Sequence, residues 1–498
     1  DALHEIRGFH TELEAVYEEK NMSLTEDDSK AMEAIDSVLF ARHPYGIQTT
    51  IGTQEHLKNP SIINIENHRA NFYVPNNVAI CVSGDFDPDA FVEIVEKYFG
   101  EWKPNPDIKT LQYEPEQQIT SPVEKTVYGL DAEFVMLAWR TPGEKDFQRS
   151  EVGEIVGSIL YNGKAGLADL DLVQAQKVGG LYLFNYGRPD YGEFMMIGYP
   201  REGQSLEDVR DLMLEEVGRV RTGDFDEELI KSTINNVKLS QMSRLERNGS
   251  RAMTYVSSFI NGHAWKDDAM QMKRLEKVTK RQVVDWANEY LAANSYVAAF
   301  KRIGEDRNID KIAAPAITPI ETNRHLQSAF LTEVQNSSVT PIEPAFPDFT
   351  SGMVKDEYSK GVELLYKRNE INDISSFVAI FDKGTRNDPR LEIAFRYLEY
   401  LGTPTRSAAE IGKALYSLAC SQSMSAGLTQ TTIRVRGLDE NIGEAMDIVE
   451  DLVFNAVPDT AILSGLKADI LKDRADSKLS QGACFSALQN YIFYGPES

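Results

Sequence analysis

Cysteine is scarce in this 498-residue chain: Cys81, Cys420 and Cys484 lie far apart, are odd in number and form no C-x-x-C pair. Neither a disulfide framework nor a thiolate zinc site is indicated. No run of about 18 apolar residues occurs, so no membrane-spanning helix is predicted. Positive charge is also short: 52 Lys+Arg face 77 Asp+Glu, a net charge of −25. Binding to a phosphate backbone needs a basic footprint, so nucleic acid is excluded as an expected partner and an anionic membrane surface is disfavoured. The sequence contains no G-x-S-x-G, no GxxxxGK[ST], no GxGxxG after a strand, no H-E-x-x-H and no H-x-x-E-H. What is present is ordinary globular composition, 42% hydrophobic and 26% charged, at a length that suggests about three domains. Low cysteine usage suits the cytoplasm but also many exported proteins, and a periplasmic or otherwise exported bacterial protein is the expectation, with the cytoplasm as the alternative. The opening Asp1-Ala2-Leu3-His4-Glu5 has neither an initiator Met nor a signal sequence, which leads us to expect that an upstream segment has been removed.

Proline marks the seams. Pro104, Pro106, Pro115 and Pro122 follow Trp102, and Pro315, Pro319, Pro341, Pro344 and Pro347 crowd a second stretch. Each proline lacks an N–H and biases its predecessor away from helix, so extended connections are predicted there. Between the seams an order of elements repeats. AEFVMLAWRT, the helical SEVGEIVGSILYNG, strand-like LYLFNYG and FMMIGYP, and helical SLEDVRDLMLEEVGRV match ISSFVAIFDKGT, LEIAFRYLEYLGT with SAAEIGKALYSLA, TTIRVRG and EAMDIVEDLVFNA. Spacing agrees too: Phe134 and Met196 are 62 positions apart, Phe377 and Val435 are 58. Residues 78–99 (VAICVSGDFDPDAFVEIVEKYF) align with only the back half of this unit, a strand, a Gly turn and a helix. One complete α/β unit flanked by two incomplete ones is expected.

Few residues offer chemistry. HEIRGFHTELEAVYEEKN has a helical pattern with an apolar stripe of Phe9, Leu13 and Val16. Glu12 and Glu19 are seven residues apart, about 20° around the axis, and flank Val16 on that face. A carboxylate beside an apolar stripe needs a cation or donors, otherwise it stays at a solvated edge. Glu14 and Glu18 point away. His4 and His10, six apart, fall about 120° from each other, unlike the three- or four-residue spacing that sets two imidazoles around one metal. His43, His56, His68, His263 and His325 are scattered and read as structural or surface residues.

These pieces together resemble the insulinase/pitrilysin (M16) family of zinc metallopeptidases, the inverted-motif group. E-x-x-A-V-x-x-E at Glu12–Glu19 is similar to the family's third-ligand helix. HPYG at 43–46, Gly52, NHRANFYVPNNVAICVSGDFD at 67–87 and KYFGEW at 97–102 resemble the rest of that half-domain. GKAGL (163–167) and YLGTPTRSAAEIGKAL (400–415) resemble small-residue turns of the second and third domains. The similarity covers essentially the whole chain.

The resemblance implies an α+β fold: repeated antiparallel-rich sheets covered by helices, assembled as part of a two-halved clamshell that encloses peptide substrates. It divides the chain into 1–103, the C-terminal part of a first domain; 124–305, a complete second domain; 306–349, an extended linker; and 350–498, the N-terminal part of a third domain. It implies a Zn²⁺ ion bound by the two histidines of H-x-x-E-H and a distal carboxylate that falls at Glu19, with the motif glutamate as general base and an accompanying, ligand-orienting acid at Glu12. Zinc would polarise the scissile carbonyl and activate a water. Because H-x-x-E-H is missing, the chain by itself is expected to lack peptidase activity and a catalytic zinc site, and surfaces exposed by truncation could self-associate. Alternative readings are a non-catalytic scaffold or partner subunit of the same family, or a peptide-binding module.

Overall fold

The computed structural model describes residues 6–58, 60–307 and 327–497. Its strands are β1 (Val123–Gly129), β2 (Phe134–Pro142), β3 (Gly180–Gly187), β4 (Tyr191–Tyr199), β5 (Val297–Ile303), β6 (Met353–Ser359), β7 (Val362–Lys367), β8 (Ile374–Phe381), β9 (Cys420–Ala426) and β10 (Thr431–Leu438). The helices α1 (Ile6–Ser23) and α2 (Asp27–Leu39) precede these strands in the chain. Contacts divide the chain into two compact units, one made of residues 1–22, 51–60 and 310–373 and the other of 23–50, 61–309 and 374–498.

The first unit contains α1, the short helix Gln54–Lys58, the helix Ala329–Asn336 and the antiparallel hairpin β6–β7. Gln54 Nε2 donates to Asn21 Oδ1 at 2.8 Å, and the Lys58 ammonium lies 5.9 Å from the Tyr17 ring centre.

The second unit is built on a five-stranded sheet in the order β1-β5-β2-β4-β3. β5 lies parallel to β1 and antiparallel to β2, and the remaining pairs are antiparallel. β2 reads FVMLAWRTP and β4 reads YGEFMMIGY, nearly unbroken apolar runs, because both faces of these strands are covered. On the inner face Val135, Leu137, Trp139, Phe194 and Met196 pack under the helices Phe147–Leu160, Leu206–Thr222 and Lys280–Tyr290. On the outer face Phe134, Met136, Ala138, Met195, Ile197, Val297 and Ala299 meet α2. The buried α2 residues Ala31, Ile35 and Leu39 recur every four positions, which makes one stripe along the helix. Reciprocal Ser205–Asp208 and Thr279–Gln282 capping boxes satisfy the first N–H groups of two inner-face helices.

A three-stranded antiparallel sheet, β8-β10-β9, follows in the same unit, with the helices Ala408–Ser417 and Ile442–Asn455 on one face. Its order is that of β2-β4-β3, with the same antiparallel pairing, so the sequence repeat is a structural repeat. β9 has a polar sequence, CSQSMSA, that gave no strand signal; it is an edge strand held by backbone pairing to β10.

Three sequence readings differ from the structure. The expected strand at the start of 78–99 is absent: no strand occurs among the described residues before Val123, and Val78, Ile80 and Val82 are exposed. A strand is stabilised by its ladder, and β-propensity without a paired neighbour does not make one. The helix of that segment does form, Pro88–Phe99, capped by Asp87. The boundary at 103 does not separate packing units, since α2 packs on the 123–303 sheet. The segment 350–498 is likewise divided, with β6–β7 in the first unit and residues from Ile374 in the second. In the expected linker, residues 308–326 lie outside the described residues. Beyond them the helix Ala329–Asn336, capped by Ser328, precedes a proline-rich stretch without regular structure.

Candidate functional site

Glu12 and Glu19 both lie on α1 and both are exposed, while Leu13 and Val16 beside them are half-buried. The carboxylates thus sit at a solvated helix edge. His4 and His325 and the side chain of His10 are outside the described residues. His56 and His68 are exposed. His43 is buried, with Nδ1 accepting from the Tyr45 N–H at 3.3 Å and its ring within 4.0–5.5 Å of Tyr45, Tyr113 and Tyr191. His263 is clamped between Asp268 Oδ1 at 3.1 Å and the Glu144 carbonyl at 2.6 Å. These two histidines are structural.

Among the described residues no three His, Cys, Asp or Glu side chains converge on one point. A catalytic zinc takes about three protein ligands. Glu19 offers one carboxylate on a solvated face, so the described donor set does not fit a catalytic zinc site and no step is derived through the metal. All three cysteines are free thiols. No helix among the described residues is long and apolar enough to cross a membrane.

The surface best shaped to hold an extended chain is the β3 edge of the five-stranded sheet. Among the described residues β3 pairs with β4 alone. Alternation turns Leu181 into the inner core and sets Tyr182, Phe184 and Tyr186 on the opposite face, 51%, 36% and 38% exposed. The Phe184 and Tyr186 rings stack at 5.6 Å, and Tyr182 meets Tyr199 edge-on at 6.0 Å. The edge therefore carries a row of aromatic faces beside its unladdered backbone.

The connection into β3 is tied down by a buried carboxylate. Asn162–Ala168 leads from the helix Phe147–Leu160 into a π-helical turn, Asp169–Gln174, that the small-residue sequence KAGLADL had not disclosed. The buried Asp169 carboxylate accepts from the Asn162 N–H at 2.7 Å and the Gly166 N–H at 2.9 Å. Burial pushes its carboxyl up to about 6 in spite of these bonds. Gly412, on the helix Ala408–Ser417, packs on this loop so closely that a Cβ would stand 2.9 Å from the Lys164 carbonyl. Across the same seam Arg201 pairs with Asp469 at 2.9 Å and Asn236 donates to the Tyr416 carbonyl at 2.7 Å. A cavity of about 630 Å³ opens there, lined by Gln174, Leu401, Thr403, Arg406 and Ile462 among others.

Two buried charged clusters on the outer face escaped the sequence reading. Lys301, fully buried, pairs with Asp27 at 2.9 Å and donates to the carbonyl oxygens of Asp131 and Ala132. Gly129 makes room for this pair, since a Cβ there would overlap the Asp27 carboxylate. At the other end of α2, Asp36, Arg188 and Glu193 form a second cluster. The signal available in sequence was a lone charge on an inward position of an apolar strand, Lys301 in VAAFKRI and Glu193 in YGEFMMIGY.

Residues 64–237 match the family described as "Peptidase M16 inactive domain". No curated protein sequence matches the chain. Among solved structures it is similar to a protease from Helicobacter pylori, at 19% identity and a TM-score of 0.55 over 60% of this chain and 73% of that one. It is similar also to a peptidase M16 inactive domain from Pseudomonas fluorescens, at 13% identity and a TM-score of 0.52 over 61% and 72%. The ferredoxin protease FusC, in complex with Arabidopsis ferredoxin, is matched at 14% identity and a TM-score of 0.50 over 98% of this chain and 57% of that one. The chain thus spans little more than half the length of that protease. The structural likenesses establish the fold as α+β of the M16 type. The segment match and the strand order agree with that fold, and residues 64–237 carry the similarity to the M16 inactive-domain family.

Proposed function

We propose that the chain serves in zinc-dependent peptide hydrolysis, with the 123–303 unit acting as a non-catalytic wall that holds the substrate by strand addition to β3. The observation that carries this reading is the free β3 edge with its row of Tyr182, Phe184 and Tyr186, in a segment largely matched by the inactive-domain family. A peptide added there would gain main-chain hydrogen bonds, which tolerate many sequences, while alternate side chains rest on aromatic faces. Glu19 is the residue proposed to ligate Zn²⁺ and Glu12 the acid proposed to orient a ligand. The metal would supply an activated water when bound together with the two histidines of an H-x-x-E-H segment, which this sequence does not contain. A second reading, a non-catalytic subunit that presents peptides to a catalytic partner, is favoured by the inactive-domain match.

Anisotropy of a labelled unstructured peptide tests the wall. Replacing both Tyr182 and Phe184 by Ala is expected to weaken binding at least tenfold, with the thermal midpoint shifted little because both rings are exposed. Unchanged affinity removes β3 as the site. Zinc content and chelator-sensitive cleavage, measured with and without an added H-x-x-E-H-bearing segment or subunit, separate the two readings. Dependence of cleavage on Glu19 in the active assembly supports ligation; indifference to Glu19→Gln supports the presenting subunit.

A further inference from the structure

The outer-face cluster at the C-terminal end of α2 has one more negative group than its cation can serve. Arg188 Nη2 lies 3.2 Å from Asp36 Oδ2 and 3.3 Å from Glu193 Oε2, so a single nitrogen faces both carboxyl groups. Glu193 is 1% exposed, and Asp36 Oδ1 is buried without a hydrogen-bond partner. The Arg188 guanidinium is itself partly enclosed, 5.3 Å from the Phe40 ring centre and 5.0 Å from that of Tyr45. The surrounding charges are committed elsewhere. Arg140, opposite Glu193 on β2, donates to the carbonyls of Leu39 and Gln117 and pairs with Glu116 at 3.7 Å. Lys145 pairs with Asp190 at 2.6 Å, and His43 Nε2 faces the same Asp190 carboxylate at 3.4 Å. Tyr186 on β3 and Glu33 on α2 add no cation.

We propose that Asp36 and Glu193 share one proton against Arg188, and that this carboxyl–carboxylate pair is a pH-sensitive latch holding the end of α2 on the five-stranded sheet. A buried carboxylate and a largely enclosed one beside a single cation disfavour double ionisation at moderate pH. Burial, reinforced by the neighbouring Asp36 and opposed by Arg188, pushes the Glu193 carboxyl up to about 8, and burial pushes Asp36 upward as well. The sign follows from linkage. A group whose folded value is raised stabilises docking fully below its unfolded value, near 4.5 for Glu, and that stabilisation is lost as pH rises to about 8. Asp27, at the other end of α2, acts in the opposite sense. Burial pushes its carboxyl up, but Lys301, the Asp131 N–H and Lys30 together outweigh burial and hold it below its usual range. Its contribution is therefore lost as pH falls. α2 is docked most firmly between the two transitions. The latch does not depend on the hydrolytic reading.

Amide hydrogen exchange of the full chain tests it, with rates over residues 31–39 corrected for intrinsic exchange. The opening constant of α2 in the wild type is expected to rise by up to tenfold per pH unit across the neutral range and to level off above pH about 8. Glu193→Gln replaces the shared proton by an amide donor and is expected to flatten the profile, as is Asp36→Asn. A flat wild-type profile, an unchanged slope in both variants, or the same slope at the β2 core amides would overturn the latch. Should the variants fail to fold, infrared spectra of the wild type decide: a protonated carboxylic acid carbonyl band must persist at neutral pH, and its absence refutes the shared proton.

Discussion

Two sheets in one chain share a strand order and differ in everything placed around it. β2 is flanked by β4 and β5 and covered on both faces, and residues 134–139 of it are buried. β8 holds the corresponding place beside β10, yet it is an edge strand, and Phe377, Val378, Ile380 and Phe381 are all partly exposed. The strands are comparably apolar, FVMLAWRTP and ISSFVAIF. Composition sets what a strand can bury, but its burial in this structure is set by β5 on one side and α2 above.

The largest expected effect tests that burial. Trp139→Ala empties a fully buried site on the inner face and is expected to cost about 3–5 kcal/mol in denaturant unfolding. A cost under about 1 kcal/mol would mean that this core is loosely packed. Next comes the pair under α2: Lys301→Met leaves the Asp27 carboxylate buried with less compensation and is expected to cost about 3 kcal/mol at neutral pH. The penalty should shrink on acidification as Asp27 protonates, which a series of melts from neutral to acid pH would show. In the three-stranded sheet, Val435→Ala removes two buried methyl groups and is expected to cost about 2 kcal/mol. The smallest effect is assigned to Ile380→Thr on the exposed β8, within about 0.5 kcal/mol. A loss as large as that of Val435→Ala would show that β8 is covered in solution and that the contrast between the two sheets is incomplete.

Legibility in the sequence followed the range of the interactions. The helices Phe147–Leu160 and Ile442–Asn455 and the strands β2, β4, β8 and β10 were readable because periodicity is local. The repeat was readable because its spacing is nearly conserved between the two copies. β9 was not, since a polar edge strand is defined by its neighbour, and the insertion of β5 between β1 and β2 was not, since register is non-local. Of the candidate site, Glu12 and Glu19 lie on one helix as read, at the solvated edge that the sequence had left open for them, beside an apolar stripe that is only half-buried. The aromatic row of β3 was present as LYLFNYG, and only the sheet order reveals that it lies at an edge. Asp36, Arg188 and Glu193 became visible as a group only through tertiary structure.

The insertion of β5 also dictates a schedule for the growing polypeptide. β1 and β2 are neighbours in sequence and are never neighbours in the sheet; the slot between them is filled by a strand that the ribosome delivers only after Gly143–Tyr296 has been made. At about 5–20 residues per second that interval is on the order of ten seconds. During it, β2 can zip to β4 and β3 as a local antiparallel meander, whereas β1 has no lasting partner and α2 has no finished surface beneath it. The nascent chain therefore holds an apolar edge open for longer than most hairpins take to form, a window in which a holding chaperone would have something to grip.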